Sequence, residues 1–568
     1  MQGHNLGGVF LLVVSLVWLW QRYGPGSKIR RAFARLPCVK GVFLLGNVQE
    51  LTGFSKHKHT FEALQRTGYL CGLRVAGLRF VQVGDPVIAH ELMQISDTAD
   101  KGWLYSVFER LTSKNVPSIF SSPTNSYWKS IRKGVAPAFN GGNLRQGFSR
   151  LNDLLPAVLE HIRQVGTGKS VNIESIASRV TMDAIHLAIF GKTRGCVERV
   201  SEDTKPEMGI VLQDAFDVIA AIAPAPWLLN FTFLPAINKA ARAVKRLHAQ
   251  NQELIRDLRA SDPPSSSLGA HLLSLHDSKT GQLLGDHQLE AELGTFFGAG
   301  FETSTIAIGW ALYSIATHLK VQQKVAAELQ QHNLLASPAE PKPRALEWDD
   351  LGKLEYLRNV IKESMRLYPV VAGGTLRALK KDTKLGPYPL AAGTAISIHF
   401  YSIHRNPAYW DHATEFLPER WNVPNADFVQ PKAGMAAGNV KPDDISADVK
   451  HEAEMSSKPN REGARGARPS DGINAEELWK PDKSAKISQE RSPVRRFMPF
   501  SSGLRNCVGQ NLANTTVLTF VATMCSHFHV DLAPEMGGPE GVEKITTLAL
   551  TLHVKGGLRL NFTPRSQA

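Results

Sequence analysis

Cys507 stands in Phe500-Ser-Ser-Gly503-Leu-Arg505-Asn-Cys507-Val-Gly509, near the end of a 568-residue chain. One cysteine on a glycine-containing loop, with an arginine two residues before it and a glycine two after, suits a thiolate holding a metal centre from one side. A thiolate needs nearby positive charge or N–H dipoles to stay deprotonated, and Arg505 and the loop backbone can supply them. The glycines let the backbone approach a flat ligand and then turn into a helix. That helix is predicted from Gln510, with the positive end of its dipole toward the sulfur. An isolated cysteine is more often buried and inert. The full pattern F-x-x-G-x-R-x-C-x-G is far more restrictive.

Three more constellations carry chemistry. Ala299-Gly300-Phe301-Glu302-Thr303-Ser304 interrupts a long apolar helical run with a glycine and an acid–alcohol pair, both costly in a buried helix. Two readings stand: a kink with a satisfied hydroxyl, or a local opening of the helix beside an oxygen site. Glu363-Ser-Met-Arg366 sets a carboxylate and a guanidinium three apart on one helical face. On a surface that pair is worth ~0.2–0.5 kcal/mol, but the flanking Leu357, Val360, Ile361, Met365 and Leu367 favour burial. Trp128 and Arg132 share a face at i and i+4, where an indole and a guanidinium can clamp a carboxylate beside a flat aromatic ligand.

Together with Phe416-Leu-Pro-Glu-Arg420-Trp421, these make five motifs. In type and order they resemble those of the cytochrome P450 family, over roughly residues 30 to 565. The resemblance implies a mainly α fold with small peripheral β-sheets (α+β) and a haem-thiolate monooxygenase. Cys507 would be the axial ligand of haem b iron, and Glu302 with Thr303 would relay protons at the oxygen site. Trp128, Arg132, Arg377, Phe500 and Arg505 would contact the haem, the arginines at its propionates. Glu363, Arg366 and Arg420 would form a structural triad behind the cysteine loop. Electrons would come from NADPH through a separate flavin reductase, with cytochrome b5 a further candidate donor. Dioxygen and a lipophilic molecule (fatty acid, sterol, terpenoid, carotenoid or xenobiotic) would be the substrates. Two other readings are a reductase-independent peroxide isomerase or dehydratase and a non-enzymatic membrane haem-binding protein. The intact Glu302–Thr303 pair argues against both. Two departures are visible: His318-Leu319-Lys320 lacks the proline common after the central helix, and a long insertion precedes Phe497.

The elements that position these residues follow from the pattern of the chain. Helical periodicity fills 125–139, 150–163, 177–190, 238–258 and 289–319. Leu70 to Val83 alternates around Gly77 as a hairpin, and 384–398 and 545–560 read as strand pairs. Residues 425–491 are rich in Pro, Gly, Ser and charge, too poor in apolar surface to offset ordering, and read as a disordered insertion. That insertion is either an inert surface loop or a partner-binding one.

Five scattered cysteines exclude a disulfide framework and a zinc site. A net charge of +13 comes without a helix-turn-helix, finger or RNA-binding signature, so nucleic acid is set aside for an anionic membrane or an acidic protein. Leu6 to Trp20 is apolar and is followed by Arg22, Lys28, Arg30, Arg31 and Arg35. It is shorter than the ~20 residues of a comfortable bilayer span, yet it lacks the basic flank and cleavage site of a signal peptide. The reading is a membrane anchor at 1–23, a hinge at 24–37 and a cytosolic catalytic domain at 38–568, on the endoplasmic reticulum. Asn230, Asn514 and Asn561 match glycan acceptor patterns and are expected to carry none. The apolar run 224–235 reads either as a membrane-dipping entrance or as a buried connection.

Overall fold

In this computed structural model the described residues exclude 1–26, 223–234, 430–492 and 568, with short stretches at 42–45, 48–49, 51–54, 76–77, 95–97, 103–104, 107, 110–114, 202 and 279. The anchor, the 224–234 run and nearly all of the insertion therefore lie outside them. Among the described residues no helix is long and apolar enough to cross a membrane.

The central helix, Asp286–Ala316, is 31 residues long, about 46 Å at 1.5 Å per residue. It is apolar nearly all round and buried on most of its surface, as a helix without a polar face must be. Helices Ile173–Phe190, Pro235–Ala260, Glu355–Leu367 and Gln510–His527 pack around it. Gly300 lets Ile173–Phe190 approach closely: a Cβ there would lie 2.7 Å from Ile185 Cδ1. Asparagines begin three helices. Asn125, Asn140 and Asn172 accept the N–H of Trp128, Asn143 and Ser175 respectively, satisfying first-turn donors that have no partner within the helix.

The largest sheet lies to one side, in the strand order Leu70–Val75, Leu78–Val83, Ala395–Ile398, Thr375–Leu379, Ala99–Asp100. Its first pair is the expected hairpin, in antiparallel register from Leu70–Val83 to Val75–Leu78. The strand pairs expected in 384–398 and 545–560 are present as short ladders. Within the stretch read as a hinge, Ser27–Phe33 is a helix, and Phe33 and Leu36 join the core under the large sheet. The apolar spacing Ile29–Phe33–Leu36 overrides the breakers on either side. Phe428–Val429 and Val494–Arg495 pair antiparallel, so the chain leaves for the insertion and returns at one point.

Candidate functional site

The cysteine loop begins where that ladder ends. Phe497 and Met498 are buried anchors, and the Cys507 N–H donates to Phe500 O at 3.0 Å to close the turn. Ser501 and Gly503 have φ of 63° and 70°. A Cβ on Gly503 would collide with the Met93 carbonyl, so this glycine is required by the approach of the loop to the helix Pro86–Gln94. Gly509 meets nothing closer than Phe139 at 3.8 Å, and its N–H bonds the Cys507 sulfur.

Cys507 is accessible on one side while protein surrounds it on the others. Burial pushes its thiol up, against the pull of the Gly509 N–H and the Arg132 guanidinium. The expectation that Arg505 would steady the thiolate is corrected here. Arg505 lies over the Trp128 ring at 4.3 Å and donates to Ile119 O and Phe120 O at 3.2 and 3.4 Å. Arg132 takes the nearer place, donating to Asn506 O at 3.0 Å and Asn506 Oδ1 at 2.6 Å.

The charges around this recess do not balance. Arg377 is 3% exposed and donates to Thr375 Oγ1 and Leu376 O. Lys101 is enclosed between the Tyr105 ring at 3.9 Å and the Phe120 ring at 4.7 Å. Burial, then the nearness of Arg377 and Arg505, hold its ammonium well below the ordinary lysine range. Arg505 is pulled down to about 10, first by burial and in part by Arg377 and Arg132. Arg505 Nη1 is buried with no hydrogen-bond partner among the described residues. The nearby acid, Asp100, is committed to Thr124 N, Thr124 Oγ1 and Lys101 N. Among the described residues, cations in excess, one buried and the others half-buried, call for an anionic ligand, and a flat ligand bearing two carboxylates fits this set.

Behind the loop, Glu363 and Arg366 are both fully buried. The carboxylate accepts Arg366 Nε and Nη2 at 2.9 and 2.8 Å, Arg420 Nε at 2.9 Å, Trp421 Nε1 at 3.0 Å and Leu417 N at 2.9 Å. Arg366 also donates to the carbonyls of His404, Ala413 and Glu415. His404 carries this network to the loop, since its Nε2 accepts Met498 N–H at 2.9 Å. Burial, with Arg366 and Arg405 nearby, drives the imidazole down to about 3 and keeps it a neutral acceptor.

On the opposite side, Glu302 and Thr303 occupy the central helix. Glu302 is 3% exposed and accepts the Thr551 hydroxyl at 2.8 Å. Thr303 donates to Ala299 O at 2.6 Å, which commits its proton and leaves its lone pairs to accept. The helix is continuous through the motif, and of the two readings weighed from the sequence the satisfied hydroxyl is the feature present, on Ala299 O. Phe108, Ile119, Phe296 and Leu550 share one apolar cluster over this region. The Leu552 N–H donates to Val370 O at 2.8 Å.

Lys101, Asn506 and His404 were not singled out in the sequence. Lys101 lies in an aperiodic loop, and Asn506 falls at a free position of the motif. His404 reads as an ordinary polar residue until Met498 is brought onto it.

The cytochrome P450 family model matches residues 36–438 and 477–556, most of the chain. The chain belongs to the cytochrome P450 family. The unmatched residues 439–476 fall inside the insertion. Among its relatives, rat (Rattus norvegicus) cytochrome P450 3A9 is 26% identical over 448 residues, 76% of this chain and 84% of that one. Soybean (Glycine max) cytochrome P450 97B2, chloroplastic, is 25% identical over 554 residues, 92% of this chain and 85% of that one. Human cytochrome P450 3A7 is 29% identical over 317 residues, 54% of this chain and 60% of that one. The chain is therefore a haem-dependent monooxygenase, an oxidoreductase.

Proposed function

We infer that this P450 is a membrane-anchored, reductase-dependent enzyme that oxidises a lipophilic small molecule, with Cys507 as the axial ligand of haem iron. The observation that carries the reading is the coincidence of Cys507 with an excess of buried and half-buried cations among the described residues at one recess. Arg132, Arg377, Arg505 and Lys101 would hold the two propionates of haem b, with Trp128 and Phe500 against the ring. Bound there, haem supplies the iron at which dioxygen is activated for insertion of one oxygen atom into the substrate.

The protein's own part follows from the groups around that site. Phe108, Ile119, Phe296 and Leu550 exclude water and favour apolar substrates. Thr303 can accept a hydrogen bond from a donor on the oxygen side while its own proton stays on Ala299 O. To donate in turn it must release Ala299 O, after which Glu302, held by Thr551, is the adjacent carboxyl that can renew the proton.

For electron delivery, a depression of about 750 Å³ lies over the cysteine loop, lined in part by Lys129, Lys133, Asn506 and Leu504. Lys129 and Lys133 are exposed and Leu504 is 57% exposed, which suits an acidic reductase with an apolar contact at its centre. Two nearby arginines do not join this face. Arg496 donates to Tyr409 O and Ala426 O and stacks on Trp410, and Arg495 pairs with Asp427 at 3.7 Å. Both are tied into the base of the insertion rather than presented to a partner. The apolar segment 6–20 remains the proposed anchor, with the catalytic domain in the cytosol on the endoplasmic reticulum.

Reductase-dependent NADPH consumption in the presence of a Soret-shifting lipophilic ligand tests the reading. Lys129→Glu with Lys133→Glu should slow the reduction and flatten its salt dependence. Turnover of a lipid peroxide without reductase or NADPH would establish the isomerase reading instead.

A further inference from the structure

Glu292 lies on the central helix and is fully buried. No motif of the chain contains it, and among the described residues no basic residue pairs with it. Its Oε1 accepts the Ile119 N–H at 3.0 Å and the Tyr127 hydroxyl at 2.8 Å, and its Oε2 lies 3.1 Å from the same Ile119 nitrogen. Glu292, Phe296, Ala299 and Thr303 recur at helical spacing on one face, so the carboxylate sits about 16 Å along the axis from Thr303.

Both partners of Glu292 lead to the cysteine loop. The carbonyls of Ile119 and Phe120 accept Arg505 Nη2. Tyr127 precedes Trp128 in the helix Ser126–Val135, where Trp128 carries the Arg505 guanidinium and Arg132 reaches Asn506. Arg505 and Asn506 are the second and first residues before Cys507. One carboxylate thus ties the helix bearing the acid–alcohol pair to Arg505 and to Arg132, the arginine nearer the thiol. Burying a carboxylate without a cation is costly, and a glutamine or an apolar residue would fill the same volume.

We propose that Glu292 is a positioning residue that fixes Arg505 and Arg132 at the anionic edge of the haem. The proposal rests on the reading of those arginines as propionate partners. Glu292 acts through them and touches neither haem nor substrate. Without it, the Ile119 N–H and the Tyr127 hydroxyl lose their acceptor, the 119–120 segment is released, and Arg505 loses the carbonyls that aim it.

The test is haem release to excess apomyoglobin from the loaded full-length protein, in Glu292→Ala, Glu292→Gln, Arg505→Gln and the double variant Glu292→Ala with Arg505→Gln. Glu292→Ala should release haem at least about tenfold faster. Glu292→Gln, whose amide oxygen still accepts both donors, should stay within about threefold of the parent. The double variant should be no faster than the faster single one, since both changes remove the same hold on the propionates. A purely structural role gives additive effects of Glu292→Ala and Arg505→Gln, and that result overturns the proposal. If Arg505→Gln releases haem at the parental rate, the propionate reading fails. If Arg505→Gln is fast and Glu292→Ala is not, that reading stands and the positioning role fails. Should Glu292→Ala not fold, Tyr127→Phe takes its place: it removes one of the two donors, and release at the parental rate would likewise overturn the proposal.

Discussion

Replacing His404 with leucine separates the triad from the cysteine loop without disturbing either. The His404 carbonyl still accepts Arg366, because that bond uses the backbone. What is lost is the acceptor of the Met498 N–H, and Met498 is fully buried. The imidazole is neutral, its value driven down to about 3, so no ion pair is broken. The cost is that of one unsatisfied buried donor, roughly 1–3 kcal/mol. Some packing is lost as well, against Phe497 at 5.3 Å and the stacked Phe400. If the loop must be ordered to hold iron, that energy appears in haem affinity as a weakening of about 5- to 150-fold. His404→Gln presents a carbonyl acceptor and should recover most of it. The assay is haem titration of the apoprotein, followed by the reduced-CO spectrum. Parental affinity in His404→Leu, or equal loss in both variants, would refute the argument that this bond carries the triad to the loop.

Gly503→Ala should destabilise the holoprotein by more than the ~1–2 kcal/mol of a left-handed alanine, because its Cβ also strikes the Met93 carbonyl. Urea unfolding measures this, and a midpoint equal to the parent's would contradict it. Glu292 gives a pH signature. Burial raises its carboxyl from 4.5 to about 7, against the opposing pull of the Ile119 N–H and the Tyr127 hydroxyl, the titratable group facing it. Its folded value lies above its unfolded one, so the folded state holds a proton that the unfolded state has lost. Stability from this group is fully present below about pH 4.5 and falls by roughly 3 kcal/mol as pH rises through about 7. Glu292→Gln lacks that slope, so the melting temperature of the parent should fall relative to the variant between about pH 5 and about pH 8. Parallel profiles would count against it.

The chemistry was most legible where function forces unusual residues into fixed spacing. Cys507, the Glu363–Arg366 pair and the Trp128–Arg132 pair each break a local rule, and each is brought to the same recess or directly behind it. The long helices were legible for a simpler reason, since continuous apolar periodicity over 289–319 leaves no polar face to solvate. What could not be read was set by tertiary approach. Arg132 displaces Arg505 as the cation nearest the thiol because Trp128 takes the Arg505 guanidinium. Arg496 is turned inward by the carbonyls of Tyr409 and Ala426. Lys101 and Glu292 sit in contexts without a pattern of their own, and distant segments give each of them a role. Asn514 matches a glycan acceptor pattern, but burial inside the helix Gln510–His527 denies it to a glycan.

The central claim is that Cys507 ligates haem iron as a thiolate. Its most direct measurement is the reduced-CO spectrum of haem-loaded Cys507→His, a variant that can still offer iron a ligand. This protein should retain haem, through the arginines that remain, but lose the red-shifted band that marks a thiolate opposite carbon monoxide. Persistence of that band in Cys507→His would mean that Cys507 is not the ligand of the iron.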